Sequence, residues 1–225
     1  MTCSAYLLAT NSPAHAAGPC VFDRKSLQFQ GTTNEQAGGL LREVRQWGKL
    51  AEASTALPPT LKEIVGQSTA DLNERLRKLL TAEGVNEQSV GGPLDSPVSR
   101  AGAGAPSAPH AKFFVIHDTS SPWVGDADMP SDDAASVNSF KSYAKGQPAA
   151  HIFINRRGET MLGHDFSVPW RATKFENKVV GIPAKGLFLH VELIQPRKRD
   201  PLGGPKNDAV APQPGFTQAQ YDKLA

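Results

Sequence analysis

The segment Gly186-Leu187-Phe188-Leu189-His190-Val191-Glu192-Leu193-Ile194 constrains this chain more than any other. Apolar side chains fill every position except Gly186, His190 and Glu192. A run this short, this apolar and opened by glycine predicts the strongest β-strand in the sequence. Strand side chains alternate, so His190 and Glu192 point to one face. An imidazole and a carboxyl on an otherwise apolar strand cost free energy unless they are satisfied or used. Two readings follow. The face is partly exposed and both groups are solvated, or a metal ligand stands beside a general base. Glutamate suits that base, because it can take a proton from zinc-bound water whose pKa lies near neutrality.

Phe113-Phe114-Val115-Ile116 is a second continuous apolar run and predicts a strand buried on both faces. His117 ends it, and Asp118-Thr119-Ser120-Ser121-Pro122 follows as a loop. Sheets of α/β proteins place their sites at such strand ends, and neutral imidazole is a common zinc ligand. Taken alone, His117 also reads as a hydrogen-bonded strand-end histidine. His151, ahead of Ile152-Phe153-Ile154, reads as a structural histidine, the alternative being a ligand, and His110 and His164 lie in loop-like sequence. Trp123 and Trp170 read as packing residues, the alternative being a sugar- or peptide-binding wall.

The rest of the chain divides by pattern. Residues 34–50 predict a helix capped by Thr33 or Asn34, with Leu40, Leu41, Val44, Trp47 and Leu50 at three- and four-residue steps. Pro58-Pro59 breaks the chain before a short helix at 61–65. Leu72, Leu76, Leu79 and Leu80 predict a helix over 70–83, stopped by Gly84. Residues 18–90 thus form a helical N-terminal extension, and 91–110, rich in Gly, Ala and Pro, reads as a linker. Beyond it, 135–144 predicts a helix, 150–155 and 160–162 predict strands, and Arg156-Arg157-Gly158-Glu159 predicts the turn between them. Thr217-Gln218-Ala219-Gln220 is a capping box opening a late helix.

Composition excludes several classes. A net charge of +2 argues against a dedicated nucleic-acid binder, and the short run Arg197-Lys198-Arg199 reads as a solvated turn. No stretch approaches the roughly 20 apolar residues of a membrane span. Two cysteines, Cys3 and Cys20, offer no CxxC pair for zinc or redox chemistry. Ala14-His15-Ala16 resembles an export cleavage site, although only Ala5–Ala9 is apolar before it. Residues 1–17 therefore read either as the remnant of an export signal or as an ordinary N-terminus.

Five segments, in order, resemble one family. Phe114-Val115-Ile116-His117-Asp118-Thr119 resembles the first zinc-histidine strand of the N-acetylmuramoyl-L-alanine amidases related to peptidoglycan-recognition proteins. Ala150–Glu159 is similar to their next strand and turn, Pro169-Trp170-Arg171-Ala172 to their Trp-His-Ala-Gly segment, Leu189-His190-Val191-Glu192-Leu193 to their Ile-Gly-Ile-Glu-Leu strand, and Phe216–Tyr221 to their late helix. The resemblance covers residues 111–225. It implies an α/β fold with a mixed central β-sheet flanked by helices, here preceded by the small helical region. It also implies zinc-assisted hydrolysis of the amide between N-acetylmuramic acid and L-alanine, with peptidoglycan or muropeptides as partners and a periplasmic or cell-envelope location.

On this resemblance His117 is a zinc ligand and Glu192 the carboxylate that activates water. Some relatives have a tyrosine before the second-strand histidine. Ala150 stands there in this chain, which leaves the glutamate variant of the chemistry. The family's remaining ligands, a histidine and an Asp or Cys, follow the late helix, and the sequence stops inside it, so the third ligand is expected beyond Ala225. His190 is a candidate ligand on geometric grounds. The spacing of His190 to Arg197-Lys198-Arg199-Asp200-Pro201 mimics the family's terminal ligand run at an earlier position. The alternative is a non-catalytic peptidoglycan-binding module of the same fold.

Overall fold

In the computed structural model the apolar runs become the centre of a mixed β-sheet. The structure describes residues 21–42, 51–52, 57–67, 71–146, 148–202 and 209–224. The chain separates into two compact units, one spanning 1–43 and 50–67, the other 44–49 and 68–225.

In the first unit, β1 (Phe22–Asp23) and β2 (Gln28–Phe29) form a small antiparallel hairpin, with the Phe22 and Phe29 rings edge to face at 5.3 Å. Helix α1 (Thr33–Leu40) follows. Its cap is Thr32, one residue before the expected position, because Thr32 and Glu35 make the reciprocal bonds of a capping box. The positions Val44, Trp47 and Leu50 of the expected longer helix lie outside the described residues. Helix α2 (Pro59–Ile64) starts on a proline, which suits the first helical position.

The second unit opens with α3 (Leu72–Ala82), close to the expected 70–83. Its sheet has the order β3-β6-β4-β5. Strands β3 (Phe113–Asp118), β6 (Phe188–Leu193) and β4 (Ile152–Ile154) are parallel, and β5 (Thr160–Leu162) returns antiparallel to β4 through the Arg156–Glu159 turn. The α/β class with a mixed central sheet is the observed architecture. Its β6 strand, buried throughout, carries the core: Val191 and Leu193 pack with Ile152 and Ile154, and Leu162, Phe166 and Phe216 lie against them.

Three expectations change. Strand β3 is not buried on both faces: Phe114 and Ile116, which alternation puts on one face, are 60% and 45% exposed. The helix expected over 135–144 is a single turn, Ala135–Asn138. Ser139 takes an extended backbone, and the Asn138 amide donates to the Asp132 and Ala134 carbonyls instead of facing solvent. The segment 91–110, read as a linker, is packed into the second unit. Ser99 and Ala101 are 2% and 0% exposed. Ser99 N–H donates to the Phe166 carbonyl, Ser99 Oγ to the Gly186 carbonyl, and Ala103 N–H to the Lys185 carbonyl. Small residues there are what let backbone approach backbone: a Cβ on Gly186 would stand 2.0 Å from the Arg100 carbonyl oxygen.

The late helix, Gln218–Leu224, forms as expected on its capping box, with Thr217 and Gln220 bonded reciprocally. Gln220 then reaches the sheet, donating to the carbonyls of Ile154 and Ile194. Among the described residues no helix is long and apolar enough to cross a membrane.

Candidate functional site

Parallel pairing brings the two sequence features together. In the β3–β6 register, Val115 lies opposite His190 and His117 opposite Glu192. Paired residues of neighbouring strands share a face, so His117, His190 and Glu192 gather on one side of the sheet, toward the C-terminal ends of both strands. The solvated-face reading of β6 is excluded, because His190 is 0% and Glu192 9% exposed.

His117 Nε2 stands 3.2 Å from His190 Nδ1. His117 Nδ1 is 3.9 Å from Glu192 Oε1, an electrostatic distance rather than a hydrogen bond. On the far side of His190, Nε2 is 3.4 Å from Glu176 Oε2, both side chains being fully buried. The cluster is thus a row: Glu192, His117, His190, Glu176. His190 Nε2, Glu192 Oε2 and Glu176 Oε1 are buried without a hydrogen-bond partner, a condition that in native proteins calls for an explanation.

Burial sets the charge states. It pushes the Glu192 carboxyl up to about 8, and the negative charge of Asp118 adds to the rise. It pushes the His117 imidazole down to about 4, helped by His190 and opposed by Glu176 and Asp118. With no metal bound, the row therefore holds an uncharged imidazole beside a protonated carboxyl at neutral pH. Asp118 itself pairs with Arg197 at 2.7 Å, and the Arg197 side chain is largely buried rather than in a solvated turn. Asp200 accepts from the Leu202 N–H in its own turn.

The other histidines are satisfied locally. His151 Nδ1 accepts from the His190 N–H and its Nε2 donates to the Val168 carbonyl, so both ring nitrogens are occupied. Its ring lies parallel to that of His190 at 5.7 Å. His164 bonds the Pro148 carbonyl and His110 the Val98 carbonyl. Trp170 packs on His164 at 4.5 Å and donates to the Ala149 carbonyl, whereas Trp123 is half exposed.

The donor set can be tested against zinc. Bonds of about 2.0–2.1 Å to nitrogen in a tetrahedral site hold two ligand nitrogens about 3.3 Å apart. The facing nitrogens of His117 and His190 have that separation. They fit as two ligands of a site that normally takes three from protein. Among the described residues no group of three or more His, Cys, Asp or Glu side chains is arranged to hold a metal ion.

Sequence reasoning missed Glu176. The signal was present as Thr173-x-x-Glu176, a capping-box spacing, but nothing in it indicates a partner in β6. The chain matches no protein-family model, no curated protein and no solved structure.

Proposed function

We propose that the second unit is a peptidoglycan amidase domain that hydrolyses the amide between N-acetylmuramic acid and L-alanine. The observation that supports this most is the convergence of His117, His190 and Glu192 on one buried face at the carboxyl ends of two parallel strands. In this reading His117 Nε2 and His190 Nδ1 would hold a zinc ion, which would supply polarisation of the scissile carbonyl and a more acidic attacking water. Glu192 takes the proton from the attacking water and returns it to the leaving amine. A carboxyl that burial holds at about 8 is poised for that exchange, since it binds and releases a proton near neutral pH. A nearby dication favours its ionised form, the one a base requires. Peptidoglycan as substrate places the working protein in the periplasm or cell envelope.

A second reading, a peptidoglycan-binding module without catalysis, is favoured by the two-ligand donor set. One experiment separates them. The chain is incubated with zinc and defined muropeptides, its metal content is measured by mass spectrometry, and the products are identified. Release of free stem peptide, abolished by chelator, is the expected result. Chelator-insensitive retention on insoluble peptidoglycan with no released peptide supports the module. Neither cleavage nor retention removes both.

A further inference from the structure

Among the described residues, Glu176 is a fully buried carboxyl that the proposed chemistry leaves unused. Glu176 begins the helical turn at 176–180 and has no solvent exposure. Its Oε2 accepts from the Thr173 N–H at 3.0 Å and from Thr173 Oγ at 2.8 Å, while Thr173 Oγ accepts from the Glu176 N–H at 2.9 Å. Those reciprocal bonds account for a local capping role. They do not account for the placement of the same Oε2 3.4 Å from His190 Nε2, an electrostatic contact at a nitrogen that has no hydrogen-bond partner.

A carboxylate only accepts hydrogen bonds, and a neutral imidazole carries one N–H and one bare nitrogen. A carboxylate facing one ring nitrogen electrostatically favours the tautomer with the hydrogen on that nitrogen, here Nε2. Nδ1 is then bare, and it faces His117 Nε2 at 3.2 Å. We infer that Glu176 is a positioning residue of the candidate site: it holds His190 in the Nε2–H tautomer and keeps Nδ1 free as a donor atom toward His117. His151 does not compete for that role, because its Nδ1 takes the His190 backbone N–H and leaves the His190 ring nitrogens untouched. The arrangement is the one metal-binding histidines use when a carboxylate fixes the nitrogen opposite the metal. The consequence for zinc rests on the function proposed above, whereas the tautomer rests on geometry alone.

The two parts are tested separately. Long-range ¹H–¹⁵N correlation on the metal-free chain near neutral pH reads the His190 tautomer. Wild type is expected to show protonated Nε2 and bare Nδ1. Glu176→Gln keeps an acceptor oxygen against Thr173 and His190 and retains that pattern, while Glu176→Leu loses it. An Nδ1–H or doubly protonated His190 in wild type overturns the inference with no variant needing to fold. A folded Glu176→Leu that keeps the wild-type pattern overturns it as well. Zinc titration supplies the second arm. Glu176→Leu is expected to bind zinc 10–100-fold more weakly, with Glu176→Gln near wild type. Equal loss in both variants, or loss in neither, removes the positioning role. A wild-type chain that binds no zinc and cleaves nothing, yet shows the Nε2–H tautomer, removes the amidase reading and leaves the tautomer assignment standing.

Discussion

Replacing Glu192 with glutamine gives a direct reading of the charge state at the centre of the site. The folded protein holds this carboxyl at about 8 against an ordinary value of 4.5. A group whose pKa is raised by folding contributes stability that is fully present below the unfolded value and lost as pH rises through the folded one. Between pH 4.5 and about 8 the folded state therefore carries one more proton at Glu192 than the unfolded chain. Its stability falls by about 1.4 kcal/mol per pH unit over that span, for a total on the order of 5 kcal/mol. With Glu192 only 9% exposed, solvent screens little of this. Glutamine has nearly the same shape and stays neutral at every pH. Wild type and Glu192→Gln should thus have similar stability at pH 5, and the variant should be several kcal/mol more stable at pH 8.5. Urea denaturation followed by circular dichroism, with chelator present, measures both. A difference that is constant from pH 5 to 8.5 would refute the claim that burial keeps this carboxyl protonated. On the proposed zinc reading, adding zinc should narrow the gap at high pH, because a dication favours the carboxylate.

Other outcomes follow from the same geometry. On the acid side, burial holds both His117 and His151 near 4, below the ordinary 6.5, so their stabilising contribution is complete above 6.5 and is lost as pH falls toward 4. With Glu192 acting in the opposite sense, wild-type stability should peak near pH 6.5, and a monotonic rise to pH 9 in urea melts would contradict this. On the amidase reading proposed above, zinc-loaded Glu192→Gln should keep the metal and lose roughly 10²–10⁴ in rate, whereas His117→Ala should lose both; muropeptide turnover and metal analysis report on each. Gly186→Ala should destabilise the second unit by roughly 2–3 kcal/mol in chemical denaturation, because φ is +92° and the new Cβ meets the Arg100 carbonyl. Ser99→Ala should cost about 1–3 kcal/mol, since it leaves the Gly186 carbonyl without its buried donor.

Local chemistry was readable wherever the deciding atoms lie within a few residues. Strands β4, β5 and β6, the Arg156–Glu159 turn, α3 and the Thr217 capping box all follow from period, turn residues and cap spacing, and the structure carries each of them. The same local logic failed where a distant partner decides. Residues 91–110 looked too poor in large apolar groups to pack, yet their backbone bonds to Lys185 and Phe166, and packing of that kind needs small side chains rather than large ones. The apolar run of β3 suggested burial on both faces, but apolarity does not say whether another element covers the second face, and the face of Phe114 and Ile116 stays exposed.

The candidate site divides along the same line. By itself the sequence determined that His190 and Glu192 share a face, because alternation along one strand is a local property. It also marked His117 as a titratable group at a strand end. Only the tertiary structure decided that β3 lies beside β6 in the register that sets His117 opposite Glu192. It alone buried the row and so moved its protons, and it alone brought Glu176 to the far side of His190. Charge state and tautomer depend on desolvation and on atoms from separate elements meeting within a few ångström, and no spacing along one chain segment encodes them.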